Sequence, residues 1–474
     1  MMCLCAGLVA AAAAAVCGAA DFEVDFGVDG GRLEKALHSA SYTPRLTPRP
    51  KPGLDESELK PLGLYAARTH DWALVNSGQR MIDTHFIFPL LHLDAKDPKN
   101  YLFGPTDEQL RLTQGAGLKV FYRLGSSIEH SEDGRHWNIV VKPEDYAQYA
   151  EACAGIVRHY TKGWANGFTW DIPYWEIWNE PNNRHCWGDG SLPQADPKRR
   201  AEFCRFFAVV LKRLKGEFPE LKFGGPALET IFWEWFDDLL AACAKEGVKP
   251  DFVSWHSYQG DADDLVAQPG RMRKYLDDRG YRDTGLIINE WHFLSKLGWK
   301  GVATWASPED RRAAQCGPDA HNGINSAAYV LNVLSRWQDT PLDQAYYYGC
   351  RRDGNWGYLD RDLNRNKIYY ALRFYGDTVN AEKRAKAVSH VKTASVLAVR
   401  SAGKKRILVA DFQGEAPAFE LKVAGVAPDA KATVELLDHA HDATKSETAL
   451  AGGRMTLKKE FGGSTGWLIT ICDK

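Results

Sequence analysis

Two Asn-Glu pairs, each set directly behind an apolar run, are the residues of this sequence best suited to do chemistry. One lies in Tyr174-Trp175-Glu176-Ile177-Trp178-Asn179-Glu180-Pro181-Asn182, the other in Leu286-Ile287-Ile288-Asn289-Glu290-Trp291. Paired carboxylates are what cleavage of a glycosidic bond requires. One, protonated, gives its proton to the leaving oxygen; the other attacks the anomeric carbon or activates water. Their separation sets the stereochemical outcome, about 5–5.5 Å for retention and about 6.5–9.5 Å for inversion. A single Glu at a strand end is more often a solvated or salt-bridged rim residue, and a repeated Asn-Glu pair is harder to explain that way. Glu176 shares a face with Glu180 by period-two alternation but sits one layer deeper, so it reads as a buried, paired structural carboxylate. Glu129 and Glu229, just past two other strands, are further mouth carboxylates, Glu129 being counted among the substrate-binding candidates.

The elements that must position these groups follow from the apolar pattern. Candidate strands are 36–42, 63–69, 118–124, 172–178, 221–225, 252–258, 285–289 and 344–348, with helical segments at 108–115, 143–160, 198–217, 232–246 and 269–278 between them. Eight strands in βα alternation over residues 34–380 predict an α/β fold, a (β/α)8 TIM barrel. A doubly wound open sheet is the competing fold, but no GxGxxG or Walker-type loop follows an early strand. Active residues of such barrels come from the C-terminal ends of strands, and the two glutamates fall at the ends of the fourth and seventh. Pro181 cannot donate a ladder hydrogen bond and helps end the fourth strand at the carboxylate. From residue 381 the texture changes to alternating runs such as 394–399, 406–412 and 466–472, which predict a small accessory β-sandwich at 381–474. Residues 21–25 alternate in the same way and read as a half-buried edge strand.

The 59 Lys and Arg against 61 Asp and Glu leave no reason to invoke a polyanionic partner, and no nucleic-acid reading module is present. The 16 Trp suit flat sugar-stacking platforms, with core packing the ordinary alternative for each. Residues 1–20 carry no charged side chain and read as a signal peptide with Gly18 and Ala20 before the cleavage point, although a basic start is missing. The expectation is a secreted or periplasmic protein with no stable membrane span, a lipid-modified Cys17 being the alternative. Cys153, Cys186, Cys204, Cys243, Cys316, Cys350 and Cys472 remain, an odd number without CxxC spacing, which argues against a zinc ribbon and leaves room for one or two disulfides. His70, His85 and His256 form no recognisable ligand spacing, so neither a metal nor another cofactor is expected.

Trp178-Asn179-Glu180-Pro181, with Glu290 ending a later strand, resembles the clan A retaining glycosidases. More narrowly, Arg68-Thr69-His70, Gly224-Gly225-Pro226 and the segment Asp251-Phe252-Val253-Ser254-Trp255-His256-Ser257-Tyr258 make the chain similar to glycoside hydrolase family 39, the β-xylosidase and α-L-iduronidase family. Segments 83–89 and 122–130 set it apart as a divergent bacterial branch. The resemblance implies Glu180 as acid/base, Glu290 as nucleophile, Asn179 on the sugar 2-hydroxyl, and a β-sandwich completed by a strand at 21–33. A like-charged neighbour and partial burial are expected to keep Glu180 protonated. His256 and Tyr258 are placed to orient the nucleophile, with a satisfied core histidine the alternative for His256. Arg68 and His70 are expected at the mouth, Arg68 supporting a carboxylate or touching sugar hydroxyls. Trp291 and Trp356 are candidate stacking platforms, and Arg123 is placed to pair with a mouth carboxylate. The implied substrate is an oligo- or polysaccharide cleaved from its end. A glycan-binding barrel without turnover is the competing reading, and its mark would be the loss of one carboxylate.

Overall fold

The computed structural model describes residues 20–41, 59–70, 81–126, 142–183, 186–188, 193, 196–296, 298–301, 307, 319–350, 356–359 and 364–472. The expected leader up to residue 19, with Cys17, lies outside these residues, as do Cys316 and Glu129. Eight strands, β2 (Ser39–Ser41), β3 (Ala66–Arg68), β4 (Lys119–Leu124), β5 (Tyr174–Ile177), β6 (Lys222–Leu228), β7 (Phe252–Gln259), β8 (Gly285–Phe293) and β9 (Gln344–Tyr348), close into the expected barrel. The ring is completed by parallel pairing of β9 with β2. The first strand is shorter than its apolar pattern, because 35–37 form a 3-10 turn that the Glu34 carboxylate caps at the Ala36 N–H.

The barrel interior is layered. Ala66, Phe121, Phe252, Ile287 and Tyr346, with Tyr174 packed against them, form an apolar floor. Two residues further along each strand, period-two alternation returns Arg68, Arg123, Glu176, Ser254 and Asn289 to the same interior, all buried. Charge has therefore replaced hydrocarbon one layer below the mouth. Burying charges is tolerable only where they are paired, and these are.

On β8 strict alternation would turn Glu290 outward, since Ile287 and Asn289 already face in. The register instead slips between Trp255 and His256, where Trp255 pairs with Ile288 but His256 pairs with Glu290. This bulge absorbs Asn289 as an extra residue and brings Glu290 inward as well. It sends Trp291 outward, fully buried against Trp337 at 4.8 Å and Tyr347 at 5.4 Å between ring centres.

The helices around the barrel follow their capping residues. Asp145, Asp196 and Asp261 accept first-turn N–H groups of the helices Tyr146–Lys162, Pro197–Glu217 and Ala262–Asp277. The last begins earlier than expected: Pro269, read as a helix start, lies inside it. The apolar residues ahead of the proline, Leu265 buried among them, secure that first half by packing. No helix among the described residues is long and apolar enough to cross a membrane.

Beyond the barrel, β10 (Lys383–Ser389), β11 (Ala394–Ser401), β12 (Lys404–Asp411), β13 (Ala418–Ala424), β14 (Lys431–Leu437), β15 (Asp442–Ala449), β16 (Arg454–Lys458) and β17 (Thr465–Cys472) join β1 (Phe22–Asp29) in one nine-stranded sheet. The expected alternation holds in β1, where Phe22, Val24 and Phe26 are buried. Its expected place at an edge does not: β1 runs antiparallel to β10 and parallel to β13, inside the sheet. Phe419 of β13 meets Trp467 of β17 at 6.0 Å, although four strands separate theirs in the ladder, so the sheet curls over a common apolar core. The helix Ile324–Trp337 packs on β11, β12 and β17, and Arg384 clamps Asp339 with two bonds of 2.7 and 2.8 Å. Among the described residues Cys153, Cys186, Cys204, Cys243, Cys350 and Cys472 are free thiols, so none of these six forms the disulfide that export would allow.

Candidate active site

The polar layer and the two strand-end glutamates form one network. Arg68, fully buried, donates from Nε to Glu176 at 2.7 Å, from Nη1 to Glu290 at 2.8 Å and from Nη2 to the Asn179 side-chain oxygen at 2.7 Å. Glu176 also accepts from Ser254 and Asn289, each at 2.7 Å. The deeper carboxylate is thus a structural anchor, as its depth implied. Arg68 cannot touch a sugar; of its two expected roles the structure realises support of the carboxylates. Arg123 pairs with Asp83 at 2.8 Å, both buried.

Glu290 is gripped at both oxygens. Oε1 meets Arg68 and, at 2.5 Å, His70 Nε2. Oε2 accepts from the Tyr258 hydroxyl at 2.6 Å and lies 3.4 Å from His256 Nδ1. The same His256 atom lies 2.9 Å from Glu180 Oε1. Glu180, Glu290 and His256 each place one atom within 4.8 Å of the other two. That spacing could also suit a cation, but Glu290 already has the Arg68 guanidinium at 2.8 Å as its counter-charge.

The carboxylates differ in surroundings. Glu290 is 5% exposed and Glu180 17%, so the latter is the one that meets solvent. Burial pushes the Glu290 carboxyl upward, but His256, His70 and Arg68 together outweigh it and hold Glu290 well below the usual carboxylate range. Burial lowers His256 to about 4, so near neutrality that ring is uncharged, while the Arg68 guanidinium stays charged 2.8 Å from Glu290. Burial and the Glu290 charge push the Tyr258 hydroxyl well above its ordinary value, which keeps it a donor.

Backbone conformation delivers the first glutamate. Trp178 and Glu180 have φ of 78° and 45°, left-handed values uncommon for residues with side chains. The Glu180 N–H is fixed by the Ala227 carbonyl at 2.9 Å. Gly125, at φ 110°, lets the end of β4 approach, since a Cβ there would stand 2.8 Å from Trp178 Cα. Strain of this kind persists where packing over-determines it, and it gathers at functional sites.

The other expected site residues divide. Asn179 is nearly buried, tied to Arg68 beside Glu180. Trp291 is a core residue, because the bulge turns it outward against Trp337, and it is no stacking platform. Trp356 stays at the pocket, its ring 5.7 Å from Tyr258 and 5.2 Å from Tyr348. Behind it stand His292 and His321, buried and stacked at 3.8 Å. Glu229 accepts from Asn182 at 3.0 Å and Asn183 at 2.6 Å, fastening the loop after Glu180. Sequence reasoning passed over Trp299, half-exposed and 5.1 Å from the Tyr258 ring. Its signal was a lone aromatic between Gly298 and Gly301 just past the β8 carboxylate.

Residues 67–275 match the family model described as glycosyl hydrolases family 39. Curated relatives include a β-xylosidase of Geobacillus stearothermophilus, 32% identical over 26% of this chain and 23% of that protein. A β-xylosidase of Caldicellulosiruptor saccharolyticus is 27% identical over 31% of this chain and 28% of that protein. The matched stretch thus spans about a quarter of each relative's length. Among solved structures, a glucosidase from Croceicoccus marinus superposes with a TM-score of 0.74 at 20% identity, covering 96% of this chain and 99% of that one. A bifunctional glucanase-xylanase, CelM2, from a metagenome library gives 0.60 at 12% identity, covering 96% and 99%. At these identities the superpositions speak for the fold. The family match takes in Arg68, His70, Glu176, Asn179, Glu180, His256 and Tyr258 and stops short of Glu290, which geometry alone adds to the set. Over residues 67–275, the chain is thus similar to the glycosyl hydrolases of family 39.

Proposed function

We propose that the protein is a retaining O-glycosidase, exo-acting and β-xylosidase-like, with Glu290 as nucleophile and Glu180 as acid/base. The observation that carries this reading is the approach of the two carboxylates, with oxygens within 4.8 Å, on the side of retention rather than inversion. Glu290, held ionised, attacks the anomeric carbon as the bond to the leaving oxygen breaks and that oxygen takes the proton of Glu180. The Glu290 charge opposes a second negative charge on Glu180 and so keeps its proton in place until then. Water then adds to the anomeric carbon, Glu180 takes its proton, and the ester to Glu290 breaks. Asn179 is the residue beside Glu180 suited to the 2-hydroxyl.

The two curated relatives described above are both named β-xylosidases, which favours xylose over the uronic sugar of the iduronidase branch. The retention of both carboxylates favours turnover over glycan binding alone. The test is a panel of nitrophenyl glycosides with wild type, Glu180→Ala and Glu290→Ala. We expect hydrolysis by wild type with β-xyloside preferred, and a loss of about 10²–10⁴-fold in Glu180→Ala on poor leaving groups. Azide should rescue Glu290→Ala with an inverted product; full activity of that variant overturns the assignment. The uncharged run at 1–20 supports export, which N-terminal sequencing of the mature protein tests.

A further inference from the structure

Among the described residues only Trp233 and Trp299 are tryptophans with more than a third of their surface exposed. Trp233 leans on Tyr275 at 4.8 Å, on a helix flank with no site residue beside it. Trp299 stands differently. It occupies the turn Gly298–Gly301, reached by the chain directly after the strand that carries Glu290. Its ring is 5.1 Å from Tyr258 and 6.0 Å from Trp356, and it is 50% exposed. Tyr258 in turn holds Glu290 at 2.6 Å. The order from the nucleophile outward is Glu290, Tyr258, Trp299, with Trp356 completing the inner wall.

We infer that Trp299 is the stacking platform for the leaving group, and that this site takes leaving groups that are themselves rings, a pyranose or an aryl group. The inference rests on the retaining-glycosidase reading. A sugar ring lying over Glu290 is walled by Tyr258 and Trp356. Trp299 lies beyond Tyr258, at the solvent side, so a ring on its face belongs to the next unit, on the leaving side of the bond being broken. Indole offers a flat apolar face to the C–H face of a pyranose, and covering that face removes it from water. Among the described residues the neighbouring rings lie against Trp299 while half of its surface stays exposed to meet a ligand.

A glycosyl fluoride isolates the claim, because its leaving group has no ring to stack. Trp299→Ala should lower kcat/KM for a nitrophenyl glycoside and for the matching disaccharide by about 2–12-fold, while the glycosyl fluoride changes little. Trp299→Phe should restore most of the loss. An equal loss on the fluoride overturns the inference, because Trp299 would then serve the fold or the cleaved sugar. No loss on any substrate overturns it too. If wild type cleaves none of the three, the glycosidase reading has failed. Titration of the disaccharide followed by tryptophan fluorescence then still decides the contact: a binding constant weakened in Trp299→Ala supports it, and an unchanged one refutes it.

Discussion

Arg68→Met tests the network most directly. Methionine fills much of the arginine's volume, so the change removes charge and donors with little loss of packing. The wild-type guanidinium is fully buried and serves Glu176, Glu290 and Asn179 at 2.6–2.8 Å. Removing one partner of a buried ion pair costs about 3–5 kcal/mol, because the other charge is left uncompensated. Here two carboxylates share one cation, so the upper part of that range is expected. The pH dependence fixes the sign. Glu290 is depressed below its ordinary 4.5, so its ionisation contributes stability above that value and loses it as pH falls through the folded-state value. Without Arg68 the depression shrinks. The stability gap to wild type should therefore be widest near neutrality and narrow below the ordinary carboxylate value. Urea unfolding followed by tryptophan fluorescence, at neutral pH and in acid, measures it. The acidic limb of kcat/KM should also move upward, since in the proposed mechanism Glu290 must be ionised to attack. Arg68→Lys keeps the charge without the fork and should fall between the two. A gap below about 1 kcal/mol at neutral pH, with the acidic limb unmoved, would refute the account, since it matches a surface pair rather than a buried one.

Gly125→Ala places a Cβ 2.8 Å from Trp178 Cα at a φ of 110°, so a loss of about 2–4 kcal/mol is expected together with a fall in kcat; chemical denaturation and initial rates check both. Val24→Asp buries an unpaired charge in the β-domain core, and limited proteolysis should show that domain cleaved first. Cys472 is exposed while Cys153, Cys204 and Cys350 are buried with raised thiol pKa values, so Cys472→Ser should remove a fast phase of thiol labelling in the folded protein.

The barrel was legible because each strand is a short apolar run followed by a helical segment, and both glutamates sit where such runs stop. The depth of Glu176 was legible too, since alternation alone orders 176 below 180. What was not legible is whatever depends on a break in alternation. The bulge at Asn289 exchanges the faces of Glu290 and Trp291 relative to a regular strand, so alternation in the sequence does not tell which of the two faces the mouth. Arg68 gave no sign of full burial, because a strand-end arginine reads the same whether it meets sugar or two carboxylates across the barrel. Pro269 misled for a different reason: proline is most at home in a first turn, and here tertiary packing of Leu265 and its neighbours overrode that preference. The β-domain alternation gave the strands of the sheet, while their order depended on partners far apart in the chain.

The position of β1 has a consequence in time. Phe22 pairs with Ser389 and with Leu421, so its ladder partners leave the ribosome long after it does. At about 5–20 residues per second the wait is roughly 20–70 s, during which the barrel can form while this strand has nothing to bind. An unpaired apolar strand is a template for other chains, and Glu23 and Asp25 between its buried residues are the charges that discourage such pairing. Chaperone demand during synthesis should accordingly fall on the first segment rather than on the barrel that follows it.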